Sequence, residues 1–249
     1  MQLLIDAGNT RIKWALTDIN HVVGEWHAMG NVVHADLGKV KQAWSALKIE
    51  RVLISNVAGD AVASQLRKIL VDLYGPVASL TWFRAQAECA GVRYAYAQPT
   101  QLGSDRFASL IGARHRYIGQ RLLVVTCGTA TTLDALEADG TFIGGMILPG
   151  LATMATSLAV NTALLPSVDK ADRARVFADN THDAIISGCL SAQVGAIMYA
   201  YEQRTDPHAR CVLSGGAAQY LGPYLPMPFD AVDNLVLLGL DASVRGDAY

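Results

Sequence analysis

The chain of 249 residues is 51% hydrophobic and 17% charged, with a formal net charge of −2. A large buried core is expected and disorder is not. A near-neutral chain with no Lys/Arg run also lacks the electrostatic footprint for nucleic acid or an anionic membrane. Cys89, Cys127, Cys189 and Cys211 are scattered with no Cys-x-x-Cys pair, which argues against a zinc site or a disulfide framework and for reduced cytosolic thiols. No basic leader precedes the first apolar run, so no signal peptide is expected. The uncharged stretch between Asp139 and Asp169 is broken by Gly144, Gly145, Pro149 and Gly150. It reads as strand, turn and small-residue helix rather than a lipid-facing span, and a soluble, cytoplasmic protein is expected.

In chain order, Leu3-Leu4-Ile5 opens a buried strand that ends at Asp6 and turns at Gly8-Asn9 into a second strand, Ile12 to Leu16. A third strand is expected over His21 to Met29. Helical spacing follows over Ala35 to Leu47, then a strand over Arg51 to Val57, a helix from an Asp60 N-cap to Leu73, and a strand over Ala78 to Phe83. Gln86 to Thr100 reads as irregular, and a helix starts near Gly103-Ser104-Asp105-Arg106. Strands are then expected over Leu122 to Thr126, Thr131 to Leu136 and Phe142 to Leu148, followed by a helix after Pro149-Gly150. Asn180-Thr181 caps a long helix to about Gln203. Cys211 to Ser214 is a buried strand, Leu221 to Asp230 is turn-like, and Val232 to Val244 reads as a closing helix.

The second half repeats the first. With Gly128 placed on Gly8, Leu123-Val124-Val125 falls on Leu3-Leu4-Ile5, Thr129 on Asn9, Ala135-Leu136 on Ala15-Leu16, and Gly144 on Gly24. The pattern is α/β with mixed pairing at one edge. Two similar lobes are expected, over residues 1–118 and 119–249, with a closing helix at about 232–246 free to pack back on the first. Their two glycine turns would face one cleft, as in a kinase. Asp6 at a strand end suits the water shell of magnesium, and the turn amides with Asn9, Thr10 and Lys13 suit phosphate oxygens. Taken alone, this stretch reads first as an ordinary hairpin with a polar turn, and it is the second copy that shifts the balance toward a phosphate site.

Six motifs in this order carry a resemblance: Asp6-Ala7-Gly8-Asn9-Thr10, Gly103-Ser104-Asp105-Arg106, Gly128-Thr129-Ala130-Thr131-Thr132, Gly144 to Gly150, Asn180-Thr181 and Ser214-Gly215-Gly216. The sequence resembles type III pantothenate kinase, of the acetate kinase, sugar kinase and actin superfamily. The Gly-x-Asp-Arg motif after Pro99 is the most specific of these features. The resemblance implies two ribonuclease-H-like (actin-like ATPase) lobes with an active-site cleft between them, and a homodimer. It also implies phosphorylation of pantothenate by ATP with Mg2+, the first step of coenzyme A synthesis.

By position, Asp105 corresponds to the catalytic base. Tyr96, Gly103, Ser104, Asp105, Arg106 and Thr181 correspond to pantothenate contacts. Asp6, Ala7, Gly8, Asn9, Thr10, Arg11, Ile12, Lys13 and Thr129 correspond to the ATP site. The residues also have plainer readings: Asp105 as a helix-start carboxylate, Arg106 as a surface ion pair, Tyr96 as a core or interface aromatic, and Thr181 as part of an N-cap. One position departs from the family. Thr126 stands where an aspartate usually binds a monovalent cation, K+ or NH4+, and Thr126 is also the repeat partner of Asp6. A strong cation requirement is therefore in doubt. The competing readings are another small-molecule kinase of the superfamily and a non-catalytic ATP-binding regulator.

Overall fold

The computed structural model describes residues 1–75, 79–94, 101–162, 165–166, 175–204, 206 and 208–245. The chain divides into two compact units, residues 1–118 with 235–249, and residues 119–234.

In the first unit, β1 (Gln2–Ala7), β2 (Arg11–Thr17), β3 (Ala28–Val33), β4 (Arg51–Asn56) and β5 (Ser79–Trp82) form one sheet in the order β3-β2-β1-β4-β5. The first three strands are antiparallel, and β4 and β5 join in parallel. Leu3, Leu4 and Ile5 on β1 are fully buried, as a strand covered on both faces requires. The helices of this unit are α1 (Val40–Ser45), α2 (Asp60–Tyr74), α3 (Ser104–Arg116) and α7 (Leu235–Ser243). On α2 the residues Val62, Leu66, Ile69 and Leu70 turn inward, and they share a core with Trp14 and Trp44, whose rings meet edge to face at 6.1 Å.

The second unit uses the same plan. Strands β8 (Leu122–Cys127), β9 (Ala130–Leu136), β10 (Thr141–Pro149), β11 (Arg210–Ser214) and β12 (Phe229–Ala231) lie in the order β12-β11-β8-β9-β10. Again an antiparallel meander is extended by two parallel strands. Helices α4 (Leu151–Asn161), α5 (Thr181–Glu202) and the short α6 (Ala218–Leu221) complete it. Among the described residues, α5 alone is long and apolar enough to cross a membrane. Its Ile185, Ile186, Cys189, Leu190 and Ile197 are packed into the second core.

The repeat is real, but its register slips after the turn. Leu3 pairs with Leu16 on β2, whereas Leu123 pairs with Ala135 on β9. The second turn is one residue shorter, since β2 resumes at Arg11 and β9 at Ala130. Ala135 therefore takes the place of Leu16, not of Ala15.

Other boundaries move too. Residues His21 to Glu25 form turns instead of the expected third strand. Gly24 there has φ +87, a backbone shape open to glycine, and its N–H donates to Asp241 on α7 at 2.9 Å. Residues 34–39 are a 3-10 turn ahead of α1. The N-cap of α2 is Gly59, with Asp60 inside the first turn. The stretch expected to be irregular contains a hairpin of β6 (Glu88–Cys89) and β7 (Val92–Tyr94). Ala90 and Gly91 turn it, both at positive φ.

The last helix packs on the first unit, and does so backbone to backbone. A Cβ at Gly112 of α3 would lie 2.5 Å from the Leu235 carbonyl oxygen, and one at Gly239 of α7 would overlap the Ala108 carbonyl. A latch adds to this crossing. Arg245 pairs with the buried Asp241 at 2.8 Å and donates to the carbonyls of Asp18, Ile19 and His21.

Two effects compete in Gly239→Ala. Alanine is the better helix former by about 1 kcal/mol, but overpacking costs about 1–3 kcal/mol. The obstacle is a backbone carbonyl that cannot rotate away, so overpacking wins. Urea unfolding should show Gly239→Ala to be the less stable protein.

Candidate active site

β1 delivers Asp6 to its carboxyl end half-buried, with two register neighbours: Lys13 on β2 and Ser55 on β4. The turn beyond it closes by the Gly8 N–H donating to the Arg11 carbonyl at 3.1 Å. His34 holds the same turn from the side, its Nε2 lying 2.8 Å from the Gly8 carbonyl. Asn9, Thr10 and Arg11 are exposed, and Arg11 reaches Asn31 across the hairpin at 2.7 Å. Ala7 and Ile12 are fully buried in the first core, so only their backbone groups are open to a ligand.

Helix α3 supplies the second carboxylate. Its start has Gly103 as N-cap without a side-chain cap. Asp105 in the first turn suits the positive end of the helix dipole, and its Oδ1 accepts from the Arg106 N–H at 2.8 Å. The carboxylate folds back over Gly103, where an added Cβ would lie 2.6 Å from Oδ1. Behind this turn Phe107 is fully buried, stacked on Phe83 at 5.9 Å and met edge-on by Tyr94 at 5.6 Å. The Ser104 hydroxyl lies 2.8 Å from that of Ser55.

The electrostatics tie the two carboxylates together. Burial pushes the pKa of Asp6 up to about 7, the negative charge of Asp105 adds to the rise, and Lys13 opposes it. Burial also raises Asp105, against the Arg106 amide and guanidinium. Among the described residues no group of three or more His, Cys, Asp or Glu side chains could hold a metal by itself. Two neighbouring carboxylates suit a hard divalent cation held mainly by waters and by a ligand's phosphates, so the residues fit Mg2+ arriving with a nucleotide.

Three glycine motifs converge in the second unit. The Gly128 N–H donates to the Ala130 carbonyl, and the Thr129 carbonyl accepts from the Gly150 N–H at 2.9 Å and from the Thr153 hydroxyl at 2.7 Å. A Cβ at Gly150 would strike the carbonyl oxygens of Gly128 and Thr129, and one at Gly215 would strike that of Cys127. Bare backbone is therefore required at Gly150 and Gly215. Thr126 pairs with Ser214 on β11 and Thr132 on β9. Thr181 opens α5 beside its N-cap Asn180, whose side chain accepts from the Asp183 N–H.

The first unit thus brings together Asp6, Lys13, Ser104, Asp105 and Arg106 among the expected site residues, while Thr126, Thr129 and Thr181 belong to the second unit. Tyr96 lies outside the described residues. Ser55 and His34 were not singled out from the sequence. A serine ending an otherwise apolar strand was the only signal for Ser55, and His34 had none.

A family model described as type III pantothenate kinase matches residues 2–203. This chain belongs to the type III pantothenate kinase family. A type III pantothenate kinase of Herminiimonas arsenicoxydans is 49% identical over 248 residues, covering 96% of each chain. One from Janthinobacterium sp. (strain Marseille) is 51% identical over 250 residues, again covering 96% of each. Among solved structures, a putative 2-dehydro-3-deoxygalactonokinase from Sinorhizobium meliloti superposes with a TM-score of 0.61 at 15% identity, covering 98% of each chain. That likeness shows that this family member has the α/β fold of the actin-like ATPase kinases.

The raised pKa of Asp6 has a consequence for stability. A carboxyl whose folded pKa lies above its unfolded value binds a proton more tightly when folded. Its favourable contribution is complete below about pH 4 and is lost as pH rises through about 7. Asp6→Asn removes that penalty. Urea unfolding should find the Asn variant more stable than wild type at pH 8 by a few kcal/mol, because about three pKa units at about 1.4 kcal/mol per unit is an upper bound that solvent screening reduces at a half-buried carboxyl. The gap should close toward pH 4.

Proposed function

We propose that this chain phosphorylates pantothenate with ATP, giving 4'-phosphopantothenate and ADP in the first step of coenzyme A synthesis. Membership of the family over nearly its whole length carries the reaction. The observation that supports the assignment of roles is the placement of Asp105 at the start of α3, within the field of Asp6.

In this reading Asp105 orients the primary hydroxyl of pantothenate and takes its proton as the hydroxyl oxygen bonds to the γ-phosphorus and the β–γ bridge breaks. Arg106 binds the pantothenate carboxylate or a phosphate oxygen through its guanidinium fork. Lys13 and the amides around Gly8 hold phosphate oxygens, and Thr129 with its neighbouring glycines offers backbone to the nucleotide. Tyr96, Gly103, Ser104 and Thr181 complete the pantothenate contacts. Asp6 holds the water shell of Mg2+, which supplies charge neutralisation on the phosphates.

The protein works as a soluble, cytoplasmic homodimer without nucleic-acid or membrane partners. The near-neutral charge and the burial of the apolar face of α5 support the solubility. Exposed apolar side chains, Ile143 and Ile147 on β10 with Val160 on α4, give a second copy a surface to cover.

Asp105→Asn tests the central role. The amide keeps the shape but cannot accept the proton, so turnover should fall about 10²–10⁴-fold with ATP affinity unchanged by calorimetry. A loss below about threefold, far under the range for general-base assistance, would reduce Asp105 to a helix-end charge.

The monovalent-cation dependence should be weak or broad, because a neutral hydroxyl at Thr126 holds a hard cation less well than a carboxylate. Thr126→Asp should strengthen it. Potassium titrations of activity for the two proteins decide, and superimposable curves would refute the idea.

A further inference from the structure

The end of β4 carries a residue that the reaction scheme leaves unused. Ser55 is fully buried and follows Val52, Leu53 and Ile54, all buried and all apolar. A serine is a poor choice for a central strand on packing grounds. Its hydroxyl also costs stability there unless it is hydrogen-bonded.

The bond that it makes crosses between elements. Ser55 Oγ lies 2.8 Å from Ser104 Oγ. Ser55 is the register neighbour of Asp6 in the β1–β4 ladder, and Ser104 is the first residue of α3, next to Asp105. Two further bonds of this turn run inside the helix start: the Phe107 N–H to the Gly103 carbonyl at 3.0 Å and the Arg106 N–H to Asp105. Those bonds shape the turn. The Ser55 hydroxyl ties it to the strand beside Asp6.

We propose that Ser55 is a positioning residue, whose bond to Ser104 fixes the first turn of α3, and with it the Asp105 carboxylate, relative to Asp6. The inference rests on the reading of Asp105 as the base. If the bond only stabilised the fold, its loss would lower the unfolding midpoint and leave the turnover of folded protein intact. If it positions Asp105, its loss must appear in kcat.

The experiment uses full-length Ser55→Ala, Ser104→Ala, the double variant and Asp105→Asn, with kcat, KM for ATP and pantothenate, and urea unfolding measured for each. Ser55→Ala should lower kcat by about tenfold, the scale of one hydrogen bond, with KM for ATP within about twofold of wild type. In the Ser104→Ala background the same change should alter kcat by less than about twofold, because the bond is already gone. Should Ser55→Ala fail to fold, Ser55→Cys fills the space with a weaker donor and carries the same expectation. A kcat within about twofold of wild type, or fully additive losses in the double variant, would overturn the proposal. Asp105→Asn separates the two levels. If it keeps wild-type turnover, the reading of Asp105 itself fails. If it is inactive while Ser55→Ala is fully active, only the role of Ser55 fails.

Discussion

The first unit is organised around keeping two carboxylates, Asp6 and Asp105, in each other's field at the end of one sheet. That arrangement is unfavourable in isolation, since burial and mutual repulsion raise Asp6 to about 7. A chain selected only for stability would separate or neutralise the pair. Here the opposing forces are packing and backbone geometry. Phe107 is held between Phe83 and Tyr94, and α3 meets α7 through Gly112 and Gly239 without side chains between them. The contact leaves α3 little freedom to slide. Destabilising charge at a site and rigid, close packing behind it belong together, because such strain persists only where surrounding structure over-determines it.

The closing helix therefore matters to the site although it contributes no site residue. Asp241 is fully buried, a position that a carboxylate tolerates only when paired and hydrogen-bonded. It accepts from Arg245 and from the Gly24 amide. Arg245 in turn caps the carbonyls of the β2–β3 connection. These bonds tie α7 to the β2–β3 connection, so the helix that backs α3 is itself anchored.

Local pattern was enough to read the strands, the paired glycine turns and the acidic helix start, because each depends on residues within a few positions of one another. What was misread depends on distant partners. His21 to Glu25 has a strand's composition, yet Gly24 bonds to a carboxylate 217 positions away. Gly112 and Gly239 look like weak helix positions until the two helices are laid across each other. Ser55 reads as the fraying end of a strand, since nothing near it in sequence reveals Ser104 as its partner. The slipped repeat has a similar cause. Fixed-offset alignment follows β1 onto β8 and then fails at a turn shorter by one residue.

Set side by side, the two units use one backbone plan for a charged row and a neutral one. The strand-end row of the first is Ser55, Asp6 and Lys13, and that of the second is Ser214, Thr126 and Thr132. The serines occupy matching parallel strands and both are buried, so they belong to the shared plan. The charges do not. A carboxylate at position 126 would attract a cation, but it would also repel any phosphate approaching the Thr129 backbone three residues on, and a bound cation would then be needed to cancel that repulsion. A threonine removes the attraction and the repulsion together. The glycine cradle of Gly128, Gly150 and Gly215 presents backbone without side chains, and on the proposed reading it can face an anionic nucleotide with no charge to neutralise. On that reading a weak cation dependence follows, because a threonine at position 126 would neither attract the cation nor create the repulsion that the cation would cancel.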